Sequence, residues 1–293
     1  MLNLTCLLAT LLAADPEPPP VDAPAAPDAP DEPDVLDEPD VEDAAPVVVF
    51  VHGLYVNASC WDDWRERFEA RGFRTLAPEW PGHEGEAAAL RADPPAALDT
   101  LQFEEVLDQH REVLSTLAEP PLLVGHSLGG LIVQLLLQDG LGRAGVAIDP
   151  APPKGLSVLR LSFFKANLPL LRQDGAVTQT PKQFHYAFTN HLDPDASLAL
   201  YEQHLVPEAS GVIHGPLSDA AAVDYDKARP PLMIVAGGAD HIIPQALNQK
   251  NARRYGEAAP TTFQAYPGRT HWTLAQEGWE AVADDVLAWA EAL

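Results

Sequence analysis

Leu122-Leu123-Val124-Gly125-His126-Ser127-Leu128-Gly129-Gly130 is the stretch whose reading decides the fold of this 293-residue chain. The apolar residues before Gly125 predict a short buried strand. The apolar run over 131–137 predicts a helix directly behind it. Between them lies Gly-x-Ser-x-Gly. A strand that turns at once into a helix passes through a strained backbone position. Glycines at 125 and 129 remove the side chains that would clash there. Ser127 then stands at the apex with its hydroxyl exposed. It also lies at a helix N-terminus, where free N–H groups and the helix dipole favour developing negative charge. This combination points to a nucleophile that attacks carbonyl carbon.

Working outward, the same alternation of strand and helix recurs. Residues 47–51 form a continuous β-branched run, the pattern of a strand buried on both faces, and it ends in His52-Gly53-Leu54-Tyr55. A helix with Trp61, Trp64 and Phe68 on one face follows, with Asn57 or Ser59 as candidate cap and Gly72 closing it. Strand 73–77 comes next, then a helix over 103–118 with Val106, Leu107, His110, Val113, Leu114 and Leu117 inward. Beyond the Ser127 helix, Gly140 and Gly142 end the turn and strand 145–149 begins. Strand 232–236 runs into Gly237-Gly238-Ala239-Asp240. Pro244 fits the first turn of a helix that reaches about 255. Strand 261–266 and a helix over 278–292 complete the chain. Strands alternating with helices predict an α/β fold with a doubly wound, mostly parallel sheet. Residues 151–228 interrupt the rhythm with far more chain than one crossover needs.

Composition narrows the function classes. Formal net charge is −25, and residues 15–46 hold twelve acidic residues, ten prolines and no basic residue. Such a segment cannot bury enough apolar surface to offset its ordering entropy and reads as a disordered, extended linker. No basic patch exists to neutralise phosphates, which argues against a nucleic-acid partner. Residues 1–14 are apolar and uncharged, like the core of a signal peptide, although a basic start is missing. Export to the cell envelope or medium is the favoured expectation, with a frayed apolar tail and a cytoplasmic protein as the alternative. No later run is long and apolar enough for an integral membrane span. The cysteines, Cys6 and Cys60, give no disulfide framework, and Cys60 reads as a small core residue.

Four separated motifs, Val51-His52-Gly53-Leu54, Gly125-His126-Ser127-Leu128-Gly129, Gly237-Gly238-Ala239-Asp240 and Gly268-Arg269-Thr270-His271, make residues 47–293 resemble the α/β-hydrolase family. The resemblance implies a helical cap at about 151–228. It also implies a serine esterase- or lipase-like enzyme with a catalytic triad and no cofactor or metal. Ser127 is then the nucleophile of the elbow and His271 the general base. Asp240 is the acid that fixes the imidazole tautomer. Asp149, which also ends a core strand, competes for the acid role. Otherwise it is a loop carboxylate capping Pro150-Ala151 or tethering the cap. The N–H groups of Leu54 and Leu128 are the expected oxyanion hole. Leu54 could be displaced by one position, leaving Tyr55 to line the pocket. His52 and His126 read as supports of the site's backbone. His83, His110, His185, His191, His204 and His214 read as surface or pocket-lining residues. The aromatics Phe163, Phe164, Phe184, Tyr186 and Phe188 either line an apolar pocket or pack the cap onto the core. The expected partner is a small hydrophobic ester or lactone. A cofactor-free perhydrolase, a carbon–carbon bond hydrolase and a non-catalytic binding protein of the same fold are the alternatives.

Overall fold

A computed structural model describes residues 45–157, 165–166, 174–257 and 259–293. The apolar stretch 1–14, nearly all of the acidic linker, and Phe163 and Phe164 lie outside the described residues. Six strands form one parallel sheet in the order β2-β1-β3-β4-β7-β8. They are β1 (Val47–Val51), β2 (Arg74–Leu76), β3 (Leu122–His126), β4 (Ala144–Ile148), β7 (Leu232–Gly237) and β8 (Thr261–Tyr266). The central strands β3, β4 and β7 are buried at every residue, as continuous apolar runs demand when helices cover both faces. Strand β8 at the edge alternates between half-buried and exposed residues over most of its length.

Each face has its own core. On one, α1 (Asp62–Glu69) and α9 (Trp279–Glu291) bury Trp64, Phe68, Val282 and Val286 against Phe50, Val124 and Val146. On the other, α3 (Phe103–Ser115) and α4 (Leu128–Gln138) bury Val106, Leu131 and Leu135 against Val49, Leu123 and Ile234. The chain leaves β1 outward to β2 and returns inward to β3. That reversal is where an open α/β sheet offers a crevice at the carboxyl ends of its strands.

The insertion between β4 and β7 holds a two-stranded antiparallel pair, β5 (Ala176–Val177) and β6 (Glu208–Ala209). It also holds α5 (Pro181–Ala187), α6 (Pro194–His204) and α7 (Ser210–Ile213). Phe184 and Phe188 are buried and meet Trp272, so they pack the insertion onto the sheet domain, and Phe188 also meets the ring of His271.

Several local expectations are corrected. Neither Asn57 nor Ser59 caps α1. A 3-10 turn over Ala58–Trp61 precedes that helix, and the Asn57 amide instead holds the carbonyls of His83 and Gly85. The remaining helices are α2 (Ala87–Ala92) and α8 (Gln245–Ala252), with Pro244 at the cap of α8 rather than inside it. His83 and His110 are fully buried, not at the surface. Among the described residues, no helix is long and apolar enough to cross a membrane.

Candidate active site

Ser127, Asp149, Asp240, His271, Leu54 and Leu128 each lie beyond the carboxyl end of a strand of the six-stranded sheet. Ser127 follows β3 with φ +55°, a strained conformation for a side chain of this kind. Close packing enforces the turn. A Cβ at Gly129 would fall 2.1 Å from the Val51 carbonyl oxygen, and one at Gly53 would fall 2.8 Å from the Ser127 Cβ. Only glycine lets the β1 loop and the start of α4 approach this closely. The Ser127 amide donates to the Ile148 carbonyl at 2.9 Å, which pins the apex to β4.

The three candidate side chains meet. Ser127 Oγ lies 2.9 Å from His271 Nε2, and His271 Nδ1 lies 2.6 Å from Asp240 Oδ2. They come from loops 31 and 144 residues apart in sequence. Asp240 Oδ1 accepts from the amides of Ile242 and Ile243 at 2.7 and 2.9 Å, which fixes the carboxylate plane. Burial alone would depress the His271 imidazole. The charge and hydrogen bond of Asp240 outweigh it and hold the pKa above the ordinary histidine value of 6.5. When the imidazole is neutral, with Nδ1–H donating to Asp240, Nε2 accepts from the Ser127 hydroxyl, which is the arrangement that lets the imidazole take a proton from serine.

Asp149 does not reach His271 by a hydrogen bond. Its oxygens contact the Gly237 amide and the Thr273 hydroxyl, each at 2.6 Å. Nor does it cap Pro150-Ala151, since the Ala151 amide donates to the Ser127 carbonyl. His126 is pushed well below 6.5 by burial and by His271, so it is neutral. Its Nε2–H donates to the His271 carbonyl at 2.8 Å, the backbone support expected of it. His126, Asp149 and His271 bring ligand atoms within 4.8 Å of one another. Both ring nitrogens of His271 are already engaged, so a cation there would have to break the contact to Ser127 or to Asp240.

The amides of Leu54 and Leu128 flank Ser127, and among the described residues neither is taken up by a partner. Tyr55, by contrast, is held at both ends by the insertion. Its N–H donates to Glu208 Oε2 at 3.3 Å and its carbonyl accepts from Val206 at 2.9 Å. With its amide spent on Glu208 and φ at +68°, Tyr55 does not offer its N–H to the site.

Glu208 was not singled out from the sequence. Its carboxylate and His83 are both fully buried and lie 3.3 Å apart. Burial would depress His83, but the charge and hydrogen bond of Glu208 raise it above 6.5. Glu208→Ala leaves His83 buried without its partner and is expected to cost about 3 kcal/mol of stability, read from urea denaturation.

The comparisons with known proteins agree with this architecture. Residues 48–285 match the model of the alpha/beta hydrolase family. A monoacylglycerol lipase from Paleococcus ferrophilus superposes with a TM-score of 0.60 at 22% identity, covering 84% of this chain and 95% of that one. A methylesterase from Arabidopsis gives 0.62 at 14% identity, covering 85% and 100%. A thermophilic esterase from Thermogutta terrifontis gives 0.60 at 17% identity, covering 84% and 90%. No curated protein matches the chain by sequence. With four fifths of its length matched by one family model and six of its strands in one parallel sheet, the chain belongs to the alpha/beta hydrolase family.

Proposed function

We propose that the protein is a serine hydrolase that cleaves carboxylic esters or lactones through an acyl-enzyme. The observation that carries this reading is the unbroken relay from Ser127 through His271 to Asp240. Ser127 attacks the ester carbonyl while His271 takes its proton. The free amides of Leu54 and Leu128 stabilise the oxyanion. His271 then protonates the leaving alcohol, and a water activated by the same imidazole releases the acid. In this reading the insertion is a cap over Ser127, and its apolar character favours a small or medium hydrophobic ester.

The test is hydrolysis of p-nitrophenyl esters of increasing acyl length, with Ser127→Ala beside the wild type. Turnover that depends on Ser127 supports the assignment, and the best chain length sizes the pocket. A folded protein inactive on every ester would favour the carbon–carbon or binding alternatives.

The acid limb of activity follows from His271. The base works only when neutral, so activity is lost as pH falls through its pKa. Because Asp240 holds that pKa high, kcat/KM is expected to rise with a midpoint above 6.5. A midpoint below 6.5 in the measured profile would contradict the assigned pairing.

A further inference from the structure

Asp149 is fully buried just past β4 with φ +44°, and among the described residues no arginine or lysine pairs with it. Its hydrogen-bond geometry permits a count of protons. Oδ1 accepts from the Gly237 amide at 2.6 Å. Oδ2 lies 2.6 Å from Thr273 Oγ1, which itself lies 2.8 Å from the Thr270 carbonyl oxygen. That carbonyl can only accept, and the threonine hydroxyl has a single proton. If Asp149 were ionised, one of the two contacts of Thr273 would set lone pair against lone pair. If Asp149 carries a proton on Oδ2, every group is satisfied. The carboxyl then donates to Thr273, Thr273 donates to the Thr270 carbonyl, and Gly237 donates to Oδ1.

We infer that Asp149 is a neutral carboxylic acid whose hydrogen-bond chain ties the 270–273 loop carrying His271 to the end of the strand carrying Asp240, as a positioning residue. It touches both loops. Gly237 stands three residues before Asp240, and Thr270 and Thr273 bracket His271. It contacts neither Ser127 nor the Leu54 and Leu128 amides by hydrogen bond. The groups around it agree with the count. Burial and the Asp240 charge push it up, against smaller opposing effects of His271, Gly237 and Thr273, to about 7. His126, the remaining titratable neighbour among the described residues, is held well below 6.5 by burial and by His271 and is neutral.

Three readouts test this. In pH-difference infrared spectra of the full chain, a protonated-carboxyl carbonyl band is expected to titrate near neutrality and to be missing from Asp149→Asn. Stability gives a second readout. Where the folded state keeps a proton that the unfolded state has released, between the ordinary aspartate value and about 7, stability falls as pH rises. Asp149→Asn removes that loss, so its melting temperature should gain on the wild type between pH 5 and pH 8. The third readout is kinetic. Asparagine keeps one donor and one acceptor and tolerates positive φ, so Asp149→Asn should keep the wild-type kcat. Asp149→Ala should lose about 10²-fold in kcat with KM nearly unchanged, because the imidazole is misplaced. If Asp149→Ala does not fold, Thr273→Val should show the same loss and Thr273→Ser should restore it.

The inference is overturned if the infrared band is absent at pH 5 or survives in Asp149→Asn. It is also overturned if Asp149→Asn is as impaired as Asp149→Ala. The positioning role rests on the proposed triad. The infrared and melting readouts need no substrate, so failure of the ester reading would leave the protonation result standing.

Discussion

Ser127→Ala is expected to lower kcat on the best p-nitrophenyl ester by on the order of 10⁴- to 10⁶-fold while the protein folds as before. The Ser127 side chain is small, 7% of the residue is exposed, and among the described residues its one side-chain hydrogen bond is to His271. Alanine also keeps the Cβ that packs beside Gly53. What disappears is the atom proposed to form the acyl-enzyme. Residual hydrolysis then reflects the oxyanion amides and binding alone, since triad members act as a unit. Steady-state kinetics, with a fluorophosphonate label to count reactive serines, checks the result. Turnover within tenfold of the wild type would mean that Ser127 is not the nucleophile.

The second large effect is Asp240→Asn, expected to cost about 10⁴-fold in kcat. The local hydrogen bonds give the reason. Oδ1 of Asp240 accepts two amide N–H groups, so an asparagine keeps its carbonyl oxygen there. Its amide nitrogen must then face His271 Nδ1, where Oδ2 now accepts at 2.6 Å. A donor at that place stabilises the wrong imidazole tautomer, with Nε2 carrying the proton and unable to accept one from Ser127. The comparison variant is Asp149→Asn, which should stay mild. Measuring both separates the two carboxylates, and the reverse ranking would move the acid to Asp149.

Much of the fold was legible because its signals are local. A β-branched run reads as a buried strand at Val47–Val51, and Thr261–Tyr266 was bounded correctly. The helix behind Ser127 begins at Leu128 rather than 131. The two glycines before Leu131 are poor helix formers, but tight packing of Gly129 on the end of β1 and of Gly130 on Pro150 offsets their cost. The cap of α1 was misread because the Asn57 side chain is drawn to carbonyls 26 and 28 residues away. Likewise, nothing near His83 in the chain shows that it is buried, since its partner Glu208 lies 125 residues on.

The sequence by itself pointed to the parallel α/β sheet and the Gly-x-Ser-x-Gly turn, and offered Ser127, His271 and two rival carboxylates as site candidates, because each is written in a short motif with its own strand and helix flanks. Only the tertiary structure decided between Asp240 and Asp149 as the partner of His271. Both carboxylates end a core strand and look alike in one dimension. Which reaches the imidazole depends on how β4, β7 and β8 are ordered in the sheet and on where Thr273 and Gly237 fall in space. It also decided that the Tyr55 amide is held by Glu208, since that contact joins residues 153 apart in the chain.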